Sequence, residues 1–173
     1  SGIGFRGLRG DFDEPLLTKF YDDLMVPTFP AEGERDALED WLEILDPGRR
    51  DEGYEGPNMN VIVLVGETAN GTDVLGGICF EYYRVARVAL LSYLVVSERA
   101  RECGVARALH RLMVEDVDLM VGEDAAKRGT PPGSAGLRAI VAETYPESNQ
   151  FMSMEARHRA LFNLGYRLID FPY

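Results

Sequence analysis

Apolar positions change their spacing from segment to segment along this chain, and each spacing predicts an element. Residues 3–8 read as a short first strand. Asp13, Glu14 and Pro15 form a helix start, with Leu16, Leu17, Phe20, Leu24 and Met25 as its apolar face. Val26-Pro27-Thr28-Phe29-Pro30 is expected to break that helix. A second helix is expected from about Glu32, with Leu38, Trp41, Leu42 and Leu45 facing the core, until Pro47-Gly48 ends it. A polar loop over 49–58 leads to a strand over 60–68, a hairpin turn at Asn70-Gly71 and a returning strand over 75–84. Residues 87–96 pair next in the meander. A helix over 105–121, a polar loop over 123–136, a strand over 137–142, a helix over 152–164 and a last strand over 166–171 complete the order. The whole reads β-α-α-β-β-β-α-β-α-β: one α/β (α+β) domain over 1–173, a mixed, mostly antiparallel central sheet flanked by helices.

The stretch 90–112, LLSYLVVSERARECGVARALHRL, carries the most chemistry. Its start is an unbroken apolar run, Leu90 to Val96, expected to be a strand buried on both faces. Arg99, Arg101, Cys103 and Gly104 turn the chain into a helix with Val105, Leu109 and Leu112 on one face. Unpaired N–H groups converge at such a helix start, where the dipole favours negative charge and a glycine permits close approach, so the turn suits a phosphate. Rival phosphate loops fit worse: Gly-Lys-Ser/Thr and G-x-G-x-x-G are both missing.

Composition narrows the partners. The net charge of −11 argues against nucleic acid, and no apolar run approaches membrane-spanning length. Residues 11–56 hold fifteen acidic side chains against four basic ones, whereas 84–111 holds six arginines. One region would repel a polyphosphate and steer a cation; the other would receive phosphates. For Glu32, Glu34, Asp36, Glu39, Asp40 and Glu43 a solvated helix face is the plainer explanation. Two cysteines give no disulfide framework and suggest a reducing cytoplasm. No cluster has metal-ligand spacing.

Arg101-Glu102-Cys103-Gly104-Val105-Ala106 resembles the R/Q-x-x-G-x-G/A signature of the GNAT superfamily of N-acetyltransferases, with a strand before it and a helix after. Ala160-Leu161-Phe162-Asn163-Leu164-Gly165-Tyr166 resembles that family's late helix, Leu-Gly turn and aromatic strand start. The resemblance covers nearly the whole chain. It implies that Arg101 to Ala106, with Arg107, bind the pyrophosphate of acetyl-CoA, a cosubstrate. It also implies that the fourth strand splays from the fifth, offering main-chain groups of Leu94, Val95 and Val96 to the pantetheine arm and thioester.

Acetyl transfer to an amine needs a base, a polarised carbonyl and a proton for the thiolate. The family's upstream glutamate is replaced here by Leu90 and Leu91, so Glu143 beyond the fifth strand, or Glu81 in the third, is the substitute base. The family's tyrosine four residues before the Leu-Gly glycine is Leu161 here, leaving Tyr93 and Tyr145 as alternative acids. His110 and His158 read as packing or surface residues. The expected activity is direct acetyl transfer to a primary amine, a small cationic molecule or a peptide. The competing expectation is a non-catalytic acyl-CoA sensor within a larger protein, and a third is an assembly module. The family's seventh strand has no counterpart, so the chain is expected to be a fragment or to form a homodimer through its C-terminal sheet edge.

Overall fold

The computed structural model describes residues 2–31, 33–50, 54, 56–69, 71–129, 136–144 and 153–169. Five strands form one sheet in sequence order: β1 (Ile3–Gly7), β2 (Asn58–Thr68), β3 (Gly71–Tyr83), β4 (Val88–Val96) and β5 (Ala139–Ala142). The first four are antiparallel, and β5 runs parallel to β4. Helices α1 (Glu14–Phe20), α2 (Val26–Thr28) and α3 (Leu38–Leu45) lie on one face, α4 (Val105–Lys127) on the other, and α5 (Met154–Asn163) follows β5.

The period-2 pattern of β2 sorts the core into two layers. Val61, Val63 and Val65 pack with Phe20, Met25, Trp41 and Leu45 beneath α1 and α3. Ile62 joins Ile78, Phe80, Leu109, Met113 and Val117 beneath α4. The buried Asn60 breaks the apolar pattern. Its Oδ1 accepts the Arg9 amide at 2.8 Å and its Nδ2 donates to Asp116 at 2.8 Å, tying β2 and the loop after β1 to α4.

Capping chemistry decides the helix ends. Asp13 Oδ1 accepts the Leu16 amide at 2.9 Å, with Pro15 in the first turn. Val26-Pro27 does not break the first helix as expected. A π turn, Tyr21–Met25, carries the helical path on to Thr28, with the Val26 amide donating to the Tyr21 carbonyl. The wider turn removes the register in which a proline ring clashes with the preceding turn. The next helix starts at Leu38 rather than near Glu32, which itself lies outside the described residues. α4 continues to Lys127, past the expected end at 121.

The C-terminal end of α5 closes as the Leu-Gly pattern suggests. Gly165 donates to the Phe162 carbonyl and Tyr166 to that of Leu161, while Leu161 and Tyr166 both pack on the α4-side core. Residues 166–169 then form no strand, contrary to expectation. The Tyr166 ring stands edge-on to His110, with the hydroxyl 3.2 Å from Nε2, and this ties residue 166 to α4. Leu168 and Ile169 are exposed, and 170–171 lie outside the described residues.

Candidate active site

Pairing between β4 and β5 runs from Val88↔Ala139 to Leu91↔Ala142 and stops there. From Ser92 to Val96, β4 keeps β3 on one side and has no strand on the other among the described residues. Among the described residues, alternate main-chain groups of Leu94, Val95 and Val96 therefore have no ladder partner on that side, where the end of β5 leaves a candidate cleft. The expectation that β4 is buried on both faces holds only in part. Ala89, Leu91 and Val95 are buried, whereas Leu90, Ser92, Tyr93, Leu94 and Val96 are only partly covered.

Beyond Val96 a 3-10 turn (Glu98–Ala100) and a tight turn over 101–104 lead into α4. Glu102 has φ 62° and Gly104 φ 76°, two left-handed residues that turn successive amides toward solvent. No well-aligned acceptor among the described residues takes the amides of Glu102, Cys103, Gly104, Val105, Ala106 or Arg107; the first helical bond of good geometry runs from Ala108 to Gly104. Nothing lies within 4 Å of where a Gly104 Cβ would sit, so the cradle is open. Arg101 and Arg107 are exposed beside it, with Arg101 Nε donating to the Val96 carbonyl, while Arg99 is paired with Asp73 at 2.9 Å. Gly76 on β3 sets the cradle's place. A Cβ there would stand 3.1 Å from the Val95 carbonyl oxygen and 3.3 Å from the Val105 side chain, so only glycine lets α4 start this close to the sheet.

The other side of β4 carries hydroxyls and carboxylates. Cys79 pairs with Tyr93 and Phe80 with Leu91, leaving Ser92 unpaired in a β-bulge at the vertex of the cleft. The bulge turns Ser92 and Tyr93 toward the α1/α3 face together. Ser92 Oγ donates to Glu81 Oε1 at 3.5 Å, and the Tyr83 hydroxyl donates to Glu81 Oε2 at 2.6 Å. That bond holds the Tyr83 proton and pushes its pKa up to about 12.

Tyr93 sits among Phe29 and Trp41 and is tied to Asp36. Its oxygen accepts the Asp36 amide at 3.1 Å and its O–H donates to Oδ2 at 3.3 Å. Burial first, then the Asp36 carboxylate, raise the Tyr93 pKa well above the tyrosine range. Cys79, buried between the two acidic positions, is likewise raised, by burial and then by Glu81 and Asp36. An anionic field thus lies over β4 on the face opposite the arginines.

Of the sequence-derived candidates, Glu81 alone sits at the cleft vertex with two hydroxyls on it. Glu143 is exposed just past β5, Tyr93 is occupied by Asp36, and Tyr145 lies outside the described residues. Leu161, at the expected tyrosine position, packs into the core. His158 bonds to Thr144 and His110 to Tyr166. Ser92 and Tyr83 escaped sequence reasoning, because their proximity depends on the β3–β4 register and its bulge, with Ser92's polarity within an apolar strand the one available signal; Asp36, expected on a solvated helix face, instead precedes α3 and bonds Tyr93. Glu39, Asp40 and Glu43 form the exposed face of α3, as the plainer explanation holds. Among the described residues, no three His, Cys, Asp or Glu side chains could hold a metal ion, and no helix is long and apolar enough to cross a membrane.

No family model matches the sequence, and no curated protein matches it either. Solved structures do. The chain is similar to AAC(6')-Iy in complex with the bisubstrate analogue CoA-S-monomethyl-acetylneamine, with 17% identity over 100% of this chain and 99% of that one and a TM-score of 0.54. It is similar to glucosamine-6-phosphate N-acetyltransferase from Arabidopsis thaliana, with 12% identity, 100% and 97% coverage and a TM-score of 0.56. It is also similar to ribosomal-protein-alanine N-acetyltransferase from Brucella melitensis biovar Abortus 2308, with 12% identity, 99% and 96% coverage and a TM-score of 0.52. The chain has the GNAT acetyltransferase fold.

Proposed function

We propose that this chain is an acetyl-CoA-dependent N-acetyltransferase that moves acetyl directly onto a primary amine, its acceptor being a small cationic molecule. One observation carries the reading: among the described residues, β4 has no strand partner on the β5 side after Leu91 and runs into a helix start whose amides, Glu102 to Arg107, have no well-aligned acceptor. Those amides and the exposed Arg101 and Arg107 would hold the pyrophosphate, with Cys103 and Ala106 lining the cradle. The open edge of Leu94, Val95 and Val96 would hold the pantetheine arm, and an amide near Leu94 would polarise the thioester carbonyl. Glu81 suits the base better than Glu143, since it is held by two hydroxyls at the cleft vertex. Asp36 and Glu81 would draw a cationic acceptor to the opposite face of β4. Two cysteines, too few for a disulfide framework, fit a reducing compartment such as the cytoplasm. The outer edge of β5 has no partner among the described residues and would serve a homodimer.

Calorimetry with acetyl-CoA and CoA, followed by thiol release with a panel of amines, tests this. Binding of CoA in the micromolar range with amine-dependent thiol release is the expected result. A second reading, an acyl-CoA sensor, is favoured by the packing of Leu161 into the core and by the Asp36 bonds to Tyr93, which leave the family's acid position without a hydroxyl and the Tyr93 hydroxyl engaged. Tight CoA binding with no thiol release for any amine would favour the sensor.

A further inference from the structure

The hydroxyl of Ser92 occupies a place the reaction can use. It belongs to the first β4 residue beyond the last β4–β5 pair, it is the bulged residue, and its hydrogen bond runs to Glu81. We infer that Ser92 is the group that takes the proton from the attacking amine and passes its own proton to Glu81. This rests on the transferase reading above. The neutral amine nitrogen bonds to the thioester carbonyl carbon. As the N–H proton moves to Ser92 Oγ, the Ser92 proton moves to Glu81 Oε1. The carbonyl then re-forms, the C–S bond breaks, and the thiolate leaves. The proton gained by Glu81 returns through solvent to the thiolate, so amide and free thiol are the only products.

The surroundings suit a relay. Tyr83 donates to the second oxygen of Glu81 and so leaves Oε1 for Ser92. Tyr54, Cys79 and Tyr83 all sense the Glu81 charge, and Glu143 acts on Tyr83 from beyond β5. The 3.5 Å separation is long for an O–H···O hydrogen bond, and catalytic hydrogen bonds commonly tighten in the reacting complex.

The test uses the whole chain, acetyl-CoA and four amine probes: methylamine, 1,5-diaminopentane, lysine methyl ester and neamine. Ser92→Ala is expected to lower kcat about 100-fold with the amine that turns over fastest, leaving the KM for acetyl-CoA within twofold of wild type. Ser92→Thr, which keeps a hydroxyl, is expected to recover most of the rate. Glu81→Gln is expected to fall as far as Ser92→Ala, and the double variant no further, because both act on one proton path. A Ser92→Ala rate within threefold of wild type overturns the relay while leaving the transferase reading intact, as does a double variant whose losses multiply. Wild-type protein that binds acetyl-CoA but releases no thiol with any probe overturns both. Thermal unfolding of each variant separates these outcomes from misfolding.

Discussion

Tyr93 and Asp36 hold each other through two hydrogen bonds across 57 residues of sequence, one from the Asp36 amide to the phenol oxygen and one from the phenol to the carboxylate. The Tyr21 hydroxyl adds a third tie by donating to the Asp36 carbonyl at 2.7 Å. The loop between α2 and α3 is thereby fastened to β4 beside the cleft, and it forms one wall of the acidic face. Tyr93→Phe keeps the ring among Phe29 and Trp41 but frees that loop. The expected cost is about 1 kcal/mol of stability in urea unfolding. A several-fold rise in KM for the amine, with KM for acetyl-CoA unchanged, is the kinetic counterpart.

Tyr83 offers a spectroscopic handle on Glu81. Its pKa of about 12 in the fold exceeds the ordinary tyrosine value, so its neutral form favours the folded state. That contribution is complete below about pH 10 and lost as pH climbs through about 12. Tyr54, Tyr82, Tyr93 and Tyr166 are also raised, so ultraviolet titration of tyrosinate is expected to show several late groups, one of them near 12 and lost in Tyr83→Phe. Glu81→Gln should bring that component down toward the ordinary value. A late amplitude that is the same in Tyr83→Phe as in the wild type would mean the hydrogen bond to Glu81 does not form in solution.

Two glycines position the cradle by different physics, and substitution separates them. At Gly104 an added methyl meets open space, so Gly104→Ala costs only the left-handed backbone, about 1 kcal/mol. At Gly76 the same methyl meets the Val95 carbonyl and the first residue of α4, so Gly76→Ala should cost about 1–3 kcal/mol. It should also weaken CoA binding about tenfold by pushing the helix start outward. Thermal unfolding and calorimetry on both variants check this order.

Asn60 provides a stability test remote from the cleft. Asn60→Leu leaves the Arg9 amide and the Asp116 carboxylate without their partner, an expected loss of about 1–3 kcal/mol in urea unfolding. Arg9 stays bound to Asp116 and Glu123, so the helix should remain in place and the affinity for CoA unchanged.

Local rules were legible wherever a few consecutive residues decide the outcome. Asp13 and Pro15 start α1, Leu164-Gly165 ends α5, and the apolar run followed by Gly104 announces a strand, a turn and a helix start. Errors arose where a long-range partner intervened. The apolar Leu90–Val96 run reads as a doubly covered strand, yet it is covered only in part, and among the described residues β5 pairs with it only as far as Leu91. Val26-Pro27 reads as a helix break, yet a π turn absorbs the proline within a segment packed on the sheet. Residues 166–169 read as a strand, yet Tyr166 is held by His110.

The sequence by itself determined the order of the elements as far as α5 and the phosphate-suited turn, since periodicity, capping and glycine placement act over a few residues. Only the tertiary structure decided that Glu81, Tyr83 and Ser92 meet, and that Tyr93 belongs to Asp36. Those meetings depend on strand register, and one unpaired residue in β4 changes which side chains share a face.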